Sequence, residues 1–201
     1  MKALLLALLL VSLPSWSTEL RVGDILLQPT DCWSCSLIEA EEESIYSHIG
    51  IVLQVRPEVM VAESLGKVRL VSLAEFNRKT EKGQKLGILR FSNSAAADYL
   101  EQNADQLLNL FKTEFENLSY DHEFLWNNLD ENGLEKLYCS EMVGKLLQAF
   151  MGMESPIKRM HFSKNPEEWS RFFKGNVPVG KWGNSPADFE KSEKFHLEGE
   201  L

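Results

Sequence analysis

The sequence predicts a single α+β domain, because two kinds of hydrophobic pattern occur along it. Short β-branched runs in the first half of the chain are typical of strands, and residues 49–55 form the clearest of them. Apolar residues recur at helical spacing over 94–118 and again over 139–150, which predicts two helices packed on those strands. The chain has 201 residues, of which 44% are hydrophobic and 25% charged, enough for one domain with a sizeable core.

The elements follow one another with turn residues between them. Strands are predicted at residues 22–28, 49–55, 59–63, 68–73 and 86–91. A short helix is predicted at 35–43, and another begins at Asn165, since a capping Asn precedes a Pro at the first helical position. The tail after Gly175 shows no periodicity and is expected to wrap irregularly around the domain.

The net charge and the N-terminal segment restrict partners and location. The formal charge of -9 argues against nucleic acid or an anionic membrane as an electrostatically held partner. Lys2, an apolar stretch over 3–13 and small residues up to Ser17 are typical of a secretory signal peptide. We therefore expect a signal peptide at 1–17 and a mature domain at 18–201, periplasmic or secreted from a bacterium, with no transmembrane anchor after cleavage. A retained anchor or a buried helix is the alternative.

Three cysteines leave one thiol unpaired in an oxidising compartment. Cys32 and Cys35 are near enough in sequence to form a disulfide, and Cys139 would then be the free thiol. The C-x-x-C spacing also allows a thiol–disulfide oxidoreductase, although no βαβ pattern surrounds it and no cis-proline partner is evident. The four histidines show no zinc-ligand spacing, so neither a metal nor another cofactor is expected.

Cys139 and His48 have the positions required of a thiol nucleophile and its base. Cys139 begins a predicted helix, where the helix dipole favours the thiolate and the Cys139 N–H is free to bind an oxyanion. His48 begins the 49–55 strand, and Glu63, at the end of the next strand, is the candidate acceptor for its second ring nitrogen. Each residue alone is more often structural: a satisfied histidine, a small buried cysteine, a surface carboxylate.

Several stretches, in one order, resemble the YiiX-like, permuted branch of the NlpC/P60 papain-like cysteine hydrolases. They are Gly23-Asp24-Ile25, Tyr46-Ser47-His48-Ile49-Gly50, Ala62-Glu63, Tyr120-Asp121, Tyr138-Cys139-Ser140-Glu141 and Ser185-Pro186. In ordinary members the cysteine helix precedes the histidine strand, whereas here the order is reversed, as in lecithin:retinol acyltransferase-like proteins. The resemblance implies a circularly permuted papain-like α+β fold, with an antiparallel sheet or small barrel packed against helices. It also implies a triad of Cys139, His48 and Glu63.

The same resemblance implies an exported thiol hydrolase that cleaves an amide or ester through a cysteine acyl-enzyme. A cell-envelope substrate such as a murein peptide is expected, and Tyr46 and Tyr120 are candidate substrate-binding residues. Lipid-modifying relatives suggest an alternative, a lipid or acyl-ester hydrolase or acyltransferase with the same triad. An inactive envelope-binding module is a further alternative. The segment between Gln28 and Tyr46 departs from the family pattern and is expected to flank the cleft.

Overall fold

A six-stranded antiparallel sheet is the centre of this computed structural model, which describes residues 19–201. The predicted signal peptide at 1–17 lies outside the described residues. The strands are β1 Ile25–Gln28, β2 His48–Gln54, β3 Met60–Leu65, β4 Lys67–Ser72, β5 Gly87–Phe91, β6 Lys158–Arg159, β7 Trp182–Gly183 and β8 Phe195–Glu200. Their order in the large sheet is β4-β3-β2-β1-β5-β8, while β6 and β7 pair separately.

Seven α-helices pack around this sheet within residues 19–201. They are α1 Trp33–Glu42, α2 Leu73–Asn77, α3 Ser94–Gln102, α4 Ala104–Leu110, α5 Cys139–Met151, α6 Pro166–Phe172 and α7 Pro186–Glu190. None of the helices in this described range is long and apolar enough to cross a membrane.

The prediction of a single helix over 94–118 is wrong, because this stretch forms α3, α4 and a π-helical turn at Phe111–Phe115. Asn103 lies at the break, and both its backbone N–H and its side-chain amide donate to the carbonyl of Tyr99. An Asn side chain that bonds to the backbone competes with the helical ladder, so the helix ends there. The apolar stripe is nevertheless buried, since Leu100, Leu107 and Phe111 lie in the core.

The tail after Gly175 is also more regular than predicted. It contains β7, α7 and the edge strand β8, which pairs with β5. The signal was weak because β8 is an edge strand that is mostly exposed, and after Phe195 it contains two glutamates, a histidine and a glycine, with Leu197 as its one further apolar side chain. A capping box at Ser185 begins α7: its hydroxyl accepts from the N–H of Asp188, whose carboxylate accepts from the N–H of Ser185.

Helix α5 packs on the sheet next to the strands that carry His48 and Glu63. It begins at Cys139, after Tyr138 as the N-cap residue, and ends at Gly152, whose φ of 70° is the left-handed conformation that glycine adopts without strain. Its first nine residues are buried, and the helix packs against β2 and β3. The helix N-terminus is therefore held directly over the strands that begin with His48 and carry Glu63.

A buried ion pair connects the strands at the opposite end of β1 from His48. Asp24, just before β1, accepts from both Nε and Nη2 of Arg90 in β5, at 2.8 and 2.7 Å. Arg90 also donates to Glu198 in β8 and to the carbonyl of Glu19. The Gly-Asp stretch of the sequence thus has a structural use here, because it holds three neighbouring strands together.

We expect Asp24→Asn to lower the free energy of unfolding by about 3 kcal/mol, since it removes the buried carboxylate of Arg90 and leaves only the partly exposed Glu198 to balance the guanidinium. The matched variant Glu198→Gln removes a partly exposed partner of the same arginine and should lower it by less than about 1 kcal/mol. Urea unfolding of both variants measures the difference. Equal losses of unfolding free energy in the two variants would contradict the conclusion that the buried Asp24–Arg90 pair contributes more than the Glu198 contact.

Candidate active site

His48 and Glu63 form a buried pair on adjacent strands. Glu63 in β3 lies opposite Gly50 in β2, and His48 is two residues from Gly50 and so on the same face of the sheet. Nε2 of His48 donates to Oε2 of Glu63 at 2.7 Å, and the two residues are 5% and 2% exposed. The pair is therefore shielded from water, which strengthens the hydrogen bond.

Cys139 meets this pair from the N-terminus of α5. Burial lowers the pKa of His48, but hydrogen bonds with Cys139 and Glu63, together with their negative charges, outweigh it and raise the pKa from 6.5 to about 9. With Nε2 directed at Glu63, Nδ1 is the ring nitrogen that is available to Cys139. At neutral pH His48 is thus an imidazolium, held between the sulfur of Cys139 and the carboxylate of Glu63.

Arg69 holds the second oxygen of Glu63 and was missed in the sequence. Its Nη2 donates to Oε1 of Glu63 at 2.6 Å, and its Nη1 donates to Glu75 at 3.1 Å. Burial raises the pKa of Glu63, but His48 and Arg69 lower it by more, so the net shift is downward. Glu63 is thus kept as a carboxylate although it is buried.

Phe76 covers the imidazole of His48. The two ring centroids are 5.5 Å apart and the ring planes differ by 30°. Gly50 makes this approach possible, because a Cβ at that position would lie 2.8 Å from Cε2 of Phe76 and 2.7 Å from Cγ1 of Val61. The Gly50 of the sequence stretch Tyr46–Gly50 is therefore required by packing beside the base.

A cavity of about 420 Å³ opens beside Cys139 and His48. Much of its wall is apolar and aromatic. These wall residues are Ile38, Tyr120, Phe124, Tyr138, Met160, Phe162, Trp169 and Phe172. They come from α1, α6 and the loops between the later elements, which pack into a hydrophobic cluster separate from the sheet core. The space next to the thiol is thus suited to a substrate with an apolar part.

The comparisons with known proteins agree with this arrangement. The model of a family described as "Permuted papain-like amidase enzyme, YaeF/YiiX, C92 family" matches residues 19–196. The chain belongs to this family. The predictions of a YiiX-like permuted papain-like fold and of a cysteine hydrolase are confirmed. NlpC/P60, the wider family named from the sequence, is related to it but different.

Two relatives of this amidase come from Escherichia coli. The uncharacterized protein YiiX of strain K12 is 28% identical over 153 residues, which cover 75% of this chain and 68% of that protein. The crystal structure of the metalloprotein yiiX from strain O157:H7 has a TM-score of 0.71 at 22% identity, covering 90% of this chain and 97% of that one. The second similarity shows that the two share a fold.

The structure brings Tyr120 to the amidase cavity but not Tyr46. Burial, and then the negative charge of Cys139, raise the pKa of Tyr120 well above 10, so its hydroxyl stays protonated. The ring of Tyr46 packs in the sheet core, with its hydroxyl against Gly87, and its part in substrate binding stays a prediction. The strand begins only at His48, so strand alternation does not extend back to Tyr46 and its ring turns inward.

Cys32 and Cys35 are joined by a disulfide at the first turn of α1, and both line the cavity, while Cys139 is a free thiol. Helix α1 connects β1 and β2, which are antiparallel, so the parallel βαβ unit typical of thiol–disulfide oxidoreductases does not surround this pair. Within residues 19–201, no three His, Cys, Asp or Glu side chains are grouped so as to hold a metal ion.

We expect Cys139→Ala and Glu63→Gln each to lower the pKa of His48 from its value of about 9, because each removes a partner that favours the imidazolium. NMR titration of the His48 ring measures the change. Glu198→Gln, far from the imidazole, is the control that should leave the titration in place. An unchanged titration in both site variants would contradict the arrangement.

Proposed function

We propose that Cys139, His48 and Glu63 cleave an amide or ester of a cell-envelope molecule through a thioester acyl-enzyme. The observation that carries the proposal is the position of His48, buried between Glu63 and Cys139 at the wall of a substrate-sized cavity. Membership of an amidase family supports the amide as the scissile bond. Cys139 is the nucleophile, His48 the acid and base, and Glu63 the group that orients His48.

The reaction follows from the charges of the three groups. Cys139 attacks the carbonyl carbon as the thiolate, its proton being the one carried by His48, and the electron pair of the C=O bond moves to the oxygen. When that oxyanion collapses, the bond to the leaving group breaks and the leaving nitrogen or oxygen takes the proton of His48. A thioester on Cys139 remains. His48, now neutral, removes a proton from water, which attacks the thioester and releases the acid. Another acceptor in place of water would give acyl transfer.

Two donors are available for the oxyanion. The backbone N–H of Cys139 lies in the first turn of α5, where helix N–H groups have no intrahelical partner and the helix dipole is positive. Tyr120 lines the same cavity and its hydroxyl stays protonated, so it is suited to be the second donor. Tyr120 therefore contributes to the reaction in this proposal, rather than only shaping the pocket.

Export and the envelope substrate are parts of the proposal that depend on the sequence of residues 1–17. A murein peptide is the substrate expected from the sequence. The aromatic wall of the cavity favours a second candidate, a lipid amide or ester, because such a wall desolvates an apolar group. Incubation of the purified protein with muropeptides and with phospholipids, followed by mass spectrometry, separates the two substrates.

We expect Cys139→Ala to lower product formation on the order of 10⁴-fold, with His48→Ala similarly impaired, because the acyl-enzyme needs both groups. The rate of product formation at fixed substrate measures the loss. His196→Ala, which removes an exposed histidine in β8, is the control and should retain the wild-type rate. Retained turnover in Cys139→Ala would overturn the thiol mechanism, and an inert Cys139 toward iodoacetamide would favour a binding module.

The rate should decline as the pH rises through about 9, the pKa to which His48 is raised. The sign follows from the reaction, since the leaving group needs the proton that His48 carries below this pH and has lost above it. The stability that His48 contributes follows the same direction: it is complete below 6.5 and is lost as the pH rises through about 9. A pH–rate profile measures this decline in rate at alkaline pH. A rate that keeps rising beyond pH 10 would contradict the role of His48 as the proton donor.

A further inference from the structure

We propose that Arg69 is a positioning residue of this hydrolase, which holds Glu63 in the orientation that accepts from His48 and is itself held by Glu75. The inference rests on the roles proposed above for His48 and Glu63. It adds a second layer to the site, built from β4 and α2, that neither the family description nor the sequence motifs assign.

Each oxygen of Glu63 has its own charged partner. Oε2 accepts from Nε2 of His48 at 2.7 Å, whereas Oε1 accepts from Nη2 of Arg69 at 2.6 Å. Rotation of the carboxylate about its last bond would break both hydrogen bonds together. Arg69 therefore restricts the one torsion of Glu63 that decides whether an oxygen is directed at the imidazole.

The fold brings this clamp together over a short length of chain. Glu63 and Arg69 are directly opposite each other in the β3–β4 hairpin, so their side chains lie on one face of the sheet. Helix α2 begins immediately after β4, with Ser72 as its capping residue and Glu75 in its first turn. Glu75 reaches back to Nη1 of Arg69, and the next residue, Phe76, is the one stacked on the imidazole. Residues 69–76 thus contact both members of the buried pair.

Arg69 differs from an ordinary surface ion pair in two respects. Its carboxylate partner Glu63 is only 2% exposed, so the interaction is poorly screened by water. Its Nε is buried and has no hydrogen-bond partner among residues 19–201. A buried donor without a partner is unfavourable, so the two carboxylates, rather than full hydrogen bonding of the guanidinium, fix where Arg69 lies. That placement is the one that a clamp on Glu63 requires.

Loss of Arg69 should act on the charge and orientation of Glu63. Burial raises the pKa of Glu63, and Arg69 is among the groups that lower it. Without Arg69, Glu63 takes up a proton at higher pH and ceases to accept from His48. The acid limb of the pH–rate profile, where the rate rises with pH as Glu63 loses its proton, should therefore move to higher pH. Reduced stability alone does not produce such a shift.

The test compares Arg69→Met with Arg69→Lys and the wild type. We expect Arg69→Met to lower kcat on the order of 10-fold, the size typical of a lost outer partner, with KM nearly unchanged. Its acid limb should move to higher pH. Arg69→Lys keeps the positive charge but cannot donate to both Glu63 and Glu75 as the forked guanidinium does. Its acid limb should therefore lie close to that of the wild type, while its kcat should stay below the wild-type value.

Arg78→Gln is the matched control. Arg78 also lies near Glu75, at 3.8 Å, but it does not contact Glu63 and its side chain is 71% exposed. This variant should keep the wild-type kcat and acid limb, and Glu75→Gln should show a smaller effect in the direction of Arg69→Met. A lower melting temperature in Arg69→Met with kcat and the acid limb unchanged would overturn the proposal.

A second readout separates this inference from the proposed reaction. The ¹³C shift of the Glu63 carboxyl group reports its titration whether or not a substrate is cleaved. If the wild type cleaves nothing, the reaction proposed above fails, and the clamp is still judged by this titration. Movement of the Glu63 titration to higher pH in Arg69→Met supports the clamp, and an unchanged titration overturns it.

Discussion

The buried hydrogen bond between His48 and Glu63 is the constraint on which the site depends. A carboxylate at 2% exposure is unfavourable unless its charge is balanced and its oxygens are bonded. Imidazolium on one oxygen and guanidinium on the other meet both conditions. The surrounding packing follows from this pair: Phe76 covers the imidazole, and Gly50 is small because Phe76 must come close.

The charged residues of the site and the apolar residues of the cavity wall come from different secondary-structure elements. The sheet and the start of α5 provide the charged groups, which are placed by backbone hydrogen bonds and strand register. The aromatic wall comes from α1, α6 and loops, whose cluster is distinct from the core beneath the sheet. The groups proposed to react and the apolar wall of the cavity therefore come from different elements of the fold.

The parts of the site that local sequence determines were predictable, and those that depend on register were not. Cys139 was found because apolar periodicity starts just after it, and Glu63 because it lies near the end of a recognisable strand. Arg69 looks like any charged residue in a half-buried strand. Its role emerges only when the turn at Gly66 is used to pair Glu63 with residue 69.

The Arg90 contacts bring the two ends of the described chain together, because one guanidinium binds both the carbonyl of Glu19 and the carboxylate of Glu198. The reversed order of histidine and cysteine is therefore a matter of where the backbone is interrupted. A short linker across these ends, with a new opening at the exposed residues 92–93 between β5 and α3, would yield a chain in which the cysteine helix precedes the histidine strand. Every strand would keep its neighbours in the sheet, so in this fold the two chain orders differ only in where the backbone is cut.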